Sequence, residues 1–423
     1  MPVWIVAVVI AIGCLELVLL AIWQRNGYWD FSDGVYAMSA RQFVHGLLPY
    51  RDFATAQPPP VYLAGAALLA VHDGLWSLRA GLGLVDLATA VLVAVSVWQM
   101  TERAVPAMVA GGVAMLLPIS LHEHAQLTPE TLAAPLLLLG AIWSARSARA
   151  SAAGGVLALA AACKVAFAAP ALAIIVTTRW RRSVGLAFVL VAAVLAAASF
   201  LVFGSGLWRG AVEAQLQVGR NSVHDVAGLL SQAAWNELPL LIGAILALVY
   251  ARRRIPESRD PELVRTLAAC AGGGLLLGLT VFKQGSYINV LVVAEPPLLA
   301  LAVAGAAWAW TRAAGSRLLI GAVCALLGLQ SLSLLTSPSD PWLARRPLAA
   351  SGLEWNQSPS TTSREVTAAR NCPPSRAYSG APYIAFLARR RMPGSQPDLF
   401  ILEQASANRV FARQAAADRP LCP

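Results

Sequence analysis

Residues 152–178 read AAGGVLALAAACKVAFAAPALAIIVTT, and this stretch decides the fold class. It joins two apolar runs, and its one charged residue, Lys164, lies between them. The whole chain has a similar composition: of 423 residues, 57% are hydrophobic and only 13% are charged. One globular core could not remove that much apolar surface from water. The sequence therefore predicts an all-helical polytopic membrane protein.

Eleven apolar runs are candidates for membrane-spanning helices. They cover residues 3–23, 80–100, 104–121, 129–145, 152–163, 165–178, 183–204, 238–251, 264–282, 288–310 and 318–336. The first run is too long for a signal peptide and has no small-residue cleavage site, so we expect it to be retained. The two runs beside Lys164 are shorter than the roughly twenty residues of a straight crossing.

Arginine clusters in the short loops predict the orientation, because short cytoplasmic loops are enriched in basic residues. The clusters lie at 146–149, 179–182, 252–254 and 312–317. The segments predicted to be external are then 24–79, 122–128, the surroundings of Lys164, 205–237, 283–287 and the tail from 337.

The short apolar stretch 61–71 has external segments on both sides in this arrangement, so we expect a helix that lies at the membrane interface. In the alternative arrangement 61–71 crosses the membrane and Lys164 lies within one continuous span. That alternative would place Arg146 and Arg149 outside.

The tail holds eleven arginines and no run long enough to span a membrane. We therefore expect two domains, a transmembrane domain over 1–336 and a small external domain over 337–423. Cys372 and Cys422 lie in the tail. They could form one disulfide in an oxidising compartment or remain two free thiols, and the sequence is compatible with both.

The first external loop, within 24–79, contains a recognisable pattern of polar and turn residues. Its members are Asp33, Gly34, Tyr36, Ala37, Gly46, Pro49, Tyr50, Asp52, Pro58 and Pro59. This pattern resembles the first external loop of the GT-C polytopic glycosyltransferases, which include protein O-mannosyltransferases, aminoarabinose transferases and RgtA-like enzymes. The segment Ser77–Arg79, the isolated Lys164 and the stretch PYIAFLARRRMPG at 382–394 add to the likeness. Many relatives carry an Asp-Glu pair where this chain has Asp33 and Gly34.

The resemblance implies transfer of a sugar, with inversion, from a polyprenyl-phosphate donor to an acceptor at the external face. Such a displacement needs a carboxylate to take the acceptor proton and cations to hold the leaving phosphate. Asp33 is the predicted catalytic base, with Asp30 and Asp52 as competitors and a helix-capping role as the structural alternative. Tyr36 and Asp52 are predicted to contact substrate.

Lys164 and Lys283 are the only lysines in the chain, and each lies between two apolar runs. A lysine at a membrane boundary is a functional candidate by default, so both are predicted phosphate ligands. The alternative for Lys164 is a snorkelling side chain that marks a helix end. Arg79 and Arg220 are predicted to add guanidinium contacts to phosphate oxygens.

The second external loop contains His122, Glu123 and His124 in the sequence SLHEHAQLTPE. We expect these side chains to contact the acceptor or the phosphate. A His-x-His pair can also bind a metal, but no third ligand is indicated, so no metal site is predicted. The chain has no Walker sequence, GxGxxG, HExxH or CxxC motif, so no cofactor is expected either.

The expected partners are a polyprenyl-phosphate sugar donor, an envelope glycan, lipid or protein acceptor, and membrane lipids. Nucleic acid is not expected, since the arginines form no basic stripe interleaved with aromatic residues. The predicted location is the bacterial inner membrane, with the active site outside. A transporter or flippase of lipid-linked sugars and a non-catalytic membrane subunit are the alternative functions.

Overall fold

The structure is a computed structural model that describes most of the chain. The described residues are 1–24, 31–254, 260–284, 287–310, 359–373, 375–404, 408–418 and 421–422, with five single positions between 320 and 328. Most of the predicted span 318–336, the boundary predicted at 336/337 and the competing residue Asp30 therefore lie outside the described residues.

Helices dominate the described chain. In order they are α1 (Val3–Gln24), α2 (Phe31–Val44), α3 (Pro60–Val71), α4 (Leu75–Thr101), α5 (Ala104–Val113), α6 (Pro118–His122), α7 (Pro129–Ser144), α8 (Ala150–Cys163), α9 (Ala168–Thr177), α10 (Arg181–Phe203), α11 (Ser205–Trp208), α12 (Ala214–Gln217), α13 (Val223–Arg254), α14 (Pro261–Leu276), α15 (Glu295–Ala309), α16 (Pro359–Arg370), α17 (Pro382–Ala388), α18 (Leu399–Gln404) and α19 (Arg409–Ala417). Short 3₁₀ segments join several of them, as at Leu277–Phe282 and Ile288–Val293.

The fold is that of a polytopic membrane protein, as predicted. Four segments are long and apolar enough to cross a membrane, namely Val3–Ala21, Leu75–Thr101, Arg181–Phe203 and Pro261–Phe282. Six shorter apolar helices accompany them. Ten of the eleven predicted runs coincide with these helices or with α13, and most ends agree within about a turn. The exception is α13, which begins at Val223 although its span was predicted from 238.

The helical path is broken at Lys164. Helix α8 ends at Cys163, Lys164 has extended backbone angles (φ −156°, ψ 129°), and a 3₁₀ turn over Val165–Phe167 leads into α9. No continuous helix therefore runs through Lys164. The stretch 61–71 forms the separate helix α3, and Pro60 begins it because the first helical position needs no N–H donor.

Small residues allow the helices of the main bundle to pack closely. At Gly154 of α8, an added Cβ would lie 2.2 Å from the carbonyl oxygen of Val184 in α10. The largest hydrophobic cluster joins buried side chains from α4, α5, α7, α8, α9, α14 and α15. Helix α10 buries little of its length, which is typical of a helix that faces lipid.

The described part of the tail packs against the first loop. Buried side chains of α16 and α17 share one hydrophobic cluster with those of α2 and α3. Two short parallel strands, Ala377–Tyr378 and Leu421–Cys422, bring the chain end back to this cluster. A disulfide joins Cys372 and Cys422. The sequence left open whether these two cysteines are bonded or free, and in the structure they are bonded.

Candidate functional site

Asp33 lies in the first turn of α2 and is bonded to two other segments. Its Oδ2 accepts a hydrogen bond of 2.7 Å from Arg79, and its Oδ1 accepts one of 2.9 Å from the backbone N–H of Leu127. Only 3% of the side chain is exposed. Asp33 does not cap α2, which already begins at Phe31, so the capping alternative is wrong.

Arg79 of α4 gathers these segments around its guanidinium group. Besides Asp33, it donates to the carbonyl oxygen of Ala125 at 2.6 Å and to the hydroxyl of Tyr383 at 3.4 Å. Tyr383 belongs to the tail helix α17, and burial raises the pKa of its hydroxyl. The first loop, the second loop and the tail therefore meet at one arginine.

Lys164 forms an ion pair at the break between α8 and α9. Its Nζ lies 2.6 Å from Oε1 of Glu130, in the first turn of α7. Glu130 is almost fully buried, whereas 23% of the Lys164 side chain is exposed. The ammonium group therefore has a buried counter-charge on one side and an open side.

Lys283 follows the 3₁₀ segment Leu277–Phe282, and its ammonium group donates to Oε1 of Gln215. Burial and, secondarily, the charge of Lys164 lower the pKa of Lys283 to about 8. The charge of Lys164 therefore acts on Lys283, although the two lysines are far apart in the sequence. The backbone of Arg220 pairs with that of Lys283, and the Arg220 side chain is exposed beside it.

The second loop buries all three of its predicted site residues. Nδ1 of His122 lies 2.8 Å from Glu123, and Nδ1 of His124 lies 2.9 Å from Asp86 of α4. Burial lowers the pKa of His122 to about 3, so its ring is neutral. Within the described ranges, no group of three or more His, Cys, Asp or Glu side chains is placed to hold a metal ion.

The two remaining predicted residues lie in separate surroundings. Tyr36 is buried, and its ring centroid lies 6.1 Å from that of Tyr62 in α3. Asp52 accepts a bond of 2.7 Å from the N–H of Leu48. Burial raises the pKa of Asp52, but this bond and Arg51 outweigh it and leave the pKa below the usual value.

Several residues of this region were not predicted. Glu130 could have been suspected, because it is an acidic side chain at the start of an apolar run. Asp86 and Tyr383 gave no such signal, since their roles depend on contacts with segments far away in the sequence. Tyr287, whose ring centroid is 5.9 Å from that of His122, was hidden in the short predicted loop 283–287.

Helix α7 gives the bundle two distinguishable ends. The site end carries Asp33, Leu127, Lys164 and Lys283, next to the start of α7. The opposite end, beyond the last residue of α7, carries the ion pair of Arg146 and Asp260, whose N–O distance is 2.8 Å. The predicted external residues are thus collected at one end of the bundle and the predicted cytoplasmic arginine 146 at the other.

The fold of this chain is similar to that of solved structures of ArnT. The solved structure of ArnT from Cupriavidus metallidurans bound to undecaprenyl phosphate is similar, with a TM-score of 0.61 and 14% identity over 96% of this chain and 87% of that chain. ArnT from the same organism in the apo state gives a TM-score of 0.62 and 13% identity over 91% and 84%. No family model and no curated protein sequence matches the chain.

Proposed function

We propose that this protein is an inverting glycosyltransferase that moves a sugar from a polyprenyl-phosphate donor to a cell-envelope acceptor. The observation that carries the proposal is the position of two lysines at the site end of the bundle, where Lys164 pairs with Glu130 and Lys283 donates to Gln215. The similar fold of ArnT, solved with undecaprenyl phosphate bound, supports a lipid-phosphate donor.

The lysine pair suits a phosphate group because its charge is only partly balanced. Glu130 offsets the charge of Lys164, but Lys283 donates to the neutral amide of Gln215, and the exposed Arg220 adds a further positive charge. Holding two cations together costs free energy, and a bound anion offsets that cost. We propose that Lys164, Lys283 and Arg220 bind the phosphate oxygens of the donor.

Asp33 is the proposed general base. It would take the proton of an acceptor hydroxyl while the acceptor oxygen attacks the anomeric carbon. The bond from that carbon to the phosphate oxygen then breaks, and its electron pair leaves with the polyprenyl phosphate. Two lone-pair positions of the Asp33 carboxylate are already occupied, which leaves others for the acceptor.

We propose that Arg79 holds Asp33 in position, which its three contacts support better than direct binding of phosphate. The burial of His122, Glu123 and His124 likewise supports a role in shaping the second loop behind the site. Tyr36 and Asp52 remain proposed acceptor-side residues of the first loop.

The disulfide supports an external site. Disulfides persist in oxidising compartments and are rare in the cytosol. The tail that contains this disulfide contacts Arg79 through Tyr383. The disulfide and Asp33 therefore lie on the same side of the membrane. We therefore propose that the site end faces outward from a bacterial inner membrane.

A transporter or flippase of lipid-linked sugars is the second candidate. Two carboxylates, Glu237 and Glu295, are buried between apolar helices, and buried ionisable groups are typical of transport pathways. A transferase breaks the bond between sugar and phosphate, whereas a flippase moves the intact lipid. Reconstituted protein supplied with labelled polyprenyl-phosphate sugars and envelope extract should therefore release free polyprenyl phosphate.

Phosphate binding is best tested with both members of an ion pair replaced. Lys164→Met alone would leave Glu130 buried without a counter-charge, so the variant is Lys164→Met with Glu130→Gln. Loss of one charge-assisted contact predicts an affinity for undecaprenyl phosphate lower by about tenfold or more, measured in nanodiscs. Arg146→Gln with Asp260→Asn removes a matched pair at the opposite end and should leave the affinity unchanged. Equal affinities in both double variants would contradict the phosphate role.

A further inference from the structure

The second loop contains a residue in a strained backbone conformation next to the proposed base. Ala125 has a φ of +53°, in the left-handed region, and its side chain is buried. This region is sterically unfavourable for a residue with a Cβ. Such a conformation persists only where the surrounding structure holds it.

Two side chains of α4 hold Ala125 by its backbone. Oδ2 of Asp86 accepts a hydrogen bond of 2.8 Å from the Ala125 N–H, and the guanidinium group of Arg79 donates one of 2.6 Å to the Ala125 carbonyl oxygen. Arg79 and Asp86 are seven residues apart, which is nearly two helical turns, so they lie on one face of α4. The same helix therefore fixes the strained residue on both its N–H and its carbonyl side.

The strained turn also supplies one of the two hydrogen bonds to Asp33. Two residues after Ala125, the N–H of Leu127 donates to Oδ1 of Asp33 at 2.9 Å. Arg79 donates to Oδ2 of Asp33 at 2.7 Å. A rotation of Ala125 to negative φ would redirect the chain that leads to Leu127. The orientation of the Asp33 carboxylate therefore depends on the conformation of Ala125.

Asp86 lies behind the second loop, further from the site end than Arg79. Helix α4 runs towards the opposite end, where Arg146 donates to Gln99 at 3.1 Å. Asp86 is therefore about 10 Å further along the helix than Arg79. Its Oδ2 also lies 2.9 Å from Nδ1 of His124, so it contacts two consecutive residues of the second loop. This position suits a residue that supports the loop.

We propose that Asp86 is a positioning residue for the proposed base. By holding the N–H of Ala125, it keeps this residue in the left-handed conformation. The Leu127 N–H is thereby presented to Asp33, and the Ala125 carbonyl group to Arg79. The inference rests on the proposed transfer function for its catalytic readout, whereas the coupling of Asp86 to the second loop can be measured without substrate.

Two substitutions of Asp86 separate its hydrogen bond from its charge. Asp86→Leu is similar in shape and removes the acceptor oxygen, so transfer should fall by about tenfold or more. The Kd for undecaprenyl phosphate should not change, because Lys164 and Lys283 are untouched. Asp86→Asn keeps an oxygen that accepts from Ala125, so its transfer rate should stay close to that of the wild type. A large loss in Asp86→Asn would overturn the proposal, even if Asp86→Leu fails to fold.

Ala125→Gly provides a rescue that is specific to the strained turn. Glycine adopts positive φ as readily as negative φ, so the turn then needs less support from Asp86. Added to Asp86→Leu, this substitution should raise transfer by about fivefold or more, since it removes the steric cost of the left-handed conformation. A role of Asp86 in bundle stability alone predicts no such recovery, and its absence would contradict the proposal.

Hydrogen exchange measures the same coupling without donor or acceptor. The backbone N–H groups of residues 123–128 should exchange slowly in the wild type, faster in Asp86→Leu and slowly again after addition of Ala125→Gly. Thr89→Val is the matched control, because the Thr89 hydroxyl bonds to the carbonyl oxygen of Val85 in its own helix, at 3.0 Å. It should change neither exchange nor transfer.

The two readouts distinguish failure of this inference from failure of the proposed function. Wild-type exchange or wild-type transfer in Asp86→Leu would overturn the positioning role and leave the proposed function intact. The expected exchange pattern in a protein that transfers no sugar would support the hold of Asp86 on the second loop and contradict the proposed function.

Discussion

Asp33 and Arg79 form a nearly buried ion pair, so a single substitution at either residue changes both charge balance and chemistry. The side chains are 3% and 15% exposed, and they are joined by a bond of 2.7 Å. Removing one member of a buried pair typically destabilises a protein by about 3–5 kcal/mol, because the other charge stays buried without a partner. A loss of activity in Asp33→Asn alone would therefore be ambiguous.

A double-mutant cycle separates the two effects. We expect Asp33→Asn and Arg79→Gln each to lower thermal stability, and the double variant to recover part of the loss. Transfer should fall by a factor on the order of 10² or more in Asp33→Asn and stay low in the double variant, because the base is still missing. Asp418→Asn, in a more exposed pair with Arg391, should change stability by less than about 1 kcal/mol. Recovery of transfer together with stability in the double variant would exclude Asp33 as the base.

The lowered pKa of Lys283 predicts that donor binding depends on pH. Burial and the charge of Lys164 hold the pKa of Lys283 at about 8, below its ordinary value of 10.5. The ammonium form, which binds phosphate, is therefore lost as the pH rises through about 8, and affinity for undecaprenyl phosphate should fall there. The measurement is Kd as a function of pH in nanodiscs.

The Lys164→Met, Glu130→Gln double variant provides the control for this pH dependence. It removes the repulsion from Lys164 but leaves the burial of Lys283, so the bend in the Kd profile should move to higher pH and remain below 10.5. Lys283→Gln should have no bend at this position. A bend that stays near pH 8 in Lys283→Gln would assign the titration to another group.

At the scale of elements, the contact between α2 and α17 connects the tail to the proposed active site. A Cβ added at Gly34 would lie 2.4 Å from the backbone nitrogen of Tyr383, so only glycine allows this approach. Arg41 of α2 adds a bond of 2.6 Å to the carbonyl oxygen of Phe386, and its guanidinium group lies over the Phe386 ring at 3.8 Å.

Gly34→Ala should push α17 away from α2. We expect a loss of about 1–3 kcal/mol in stability from the overpacked contact. Transfer should also fall, since Tyr383 would be displaced from Arg79. The matched control is Gly272→Ala in α14, where an added Cβ meets nothing within 4 Å, and it should be neutral or slightly stabilising. Thermal unfolding and the transfer assay check both variants, and equal behaviour of the two would contradict the importance of the α2–α17 contact.

For the whole molecule, every proposed role depends on the face to which the site end is exposed. This can be tested with single cysteines that replace His45 or Ser147. Both positions are exposed in the structure; position 45 belongs to the first loop and position 147 to the opposite end of the bundle. The background carries Ser at positions 14 and 324, the two exposed free cysteines. With the outer barrier permeabilised, an impermeant maleimide should label the cysteine at 45.

The cysteine at 147 should react only after the inner membrane is opened, because the arginines around it favour the cytoplasm. The wild-type disulfide of Cys372 and Cys422 should stay unlabelled throughout and become reactive after reduction. Free labelling at 147 with protection at 45 would reverse the topology and remove the external polyprenyl-phosphate mechanism.

The sequence by itself determined the membrane class and nearly all the helical segments. Apolar runs specify helices locally, since each backbone group must find its partner within the same segment in lipid. It also identified Lys164 as the point where a helix is interrupted, and the structure confirms this break. The first-loop pattern around Asp33 resembled that of the GT-C enzymes, aminoarabinose transferases among them, and the fold is similar to that of ArnT.

Only the tertiary structure decided which side chains meet. The pairing of Asp33 with Arg79 and of Lys164 with Glu130 joins residues that are far apart in the chain. Hydropathy depends on neighbours in sequence, whereas an ion pair depends on helix register and on close contacts such as that of Gly34 with Tyr383. The start of α13 was missed because its first turns are largely exposed and not apolar, and the Ser222 hydroxyl caps them by accepting a hydrogen bond from the N–H of Asp225.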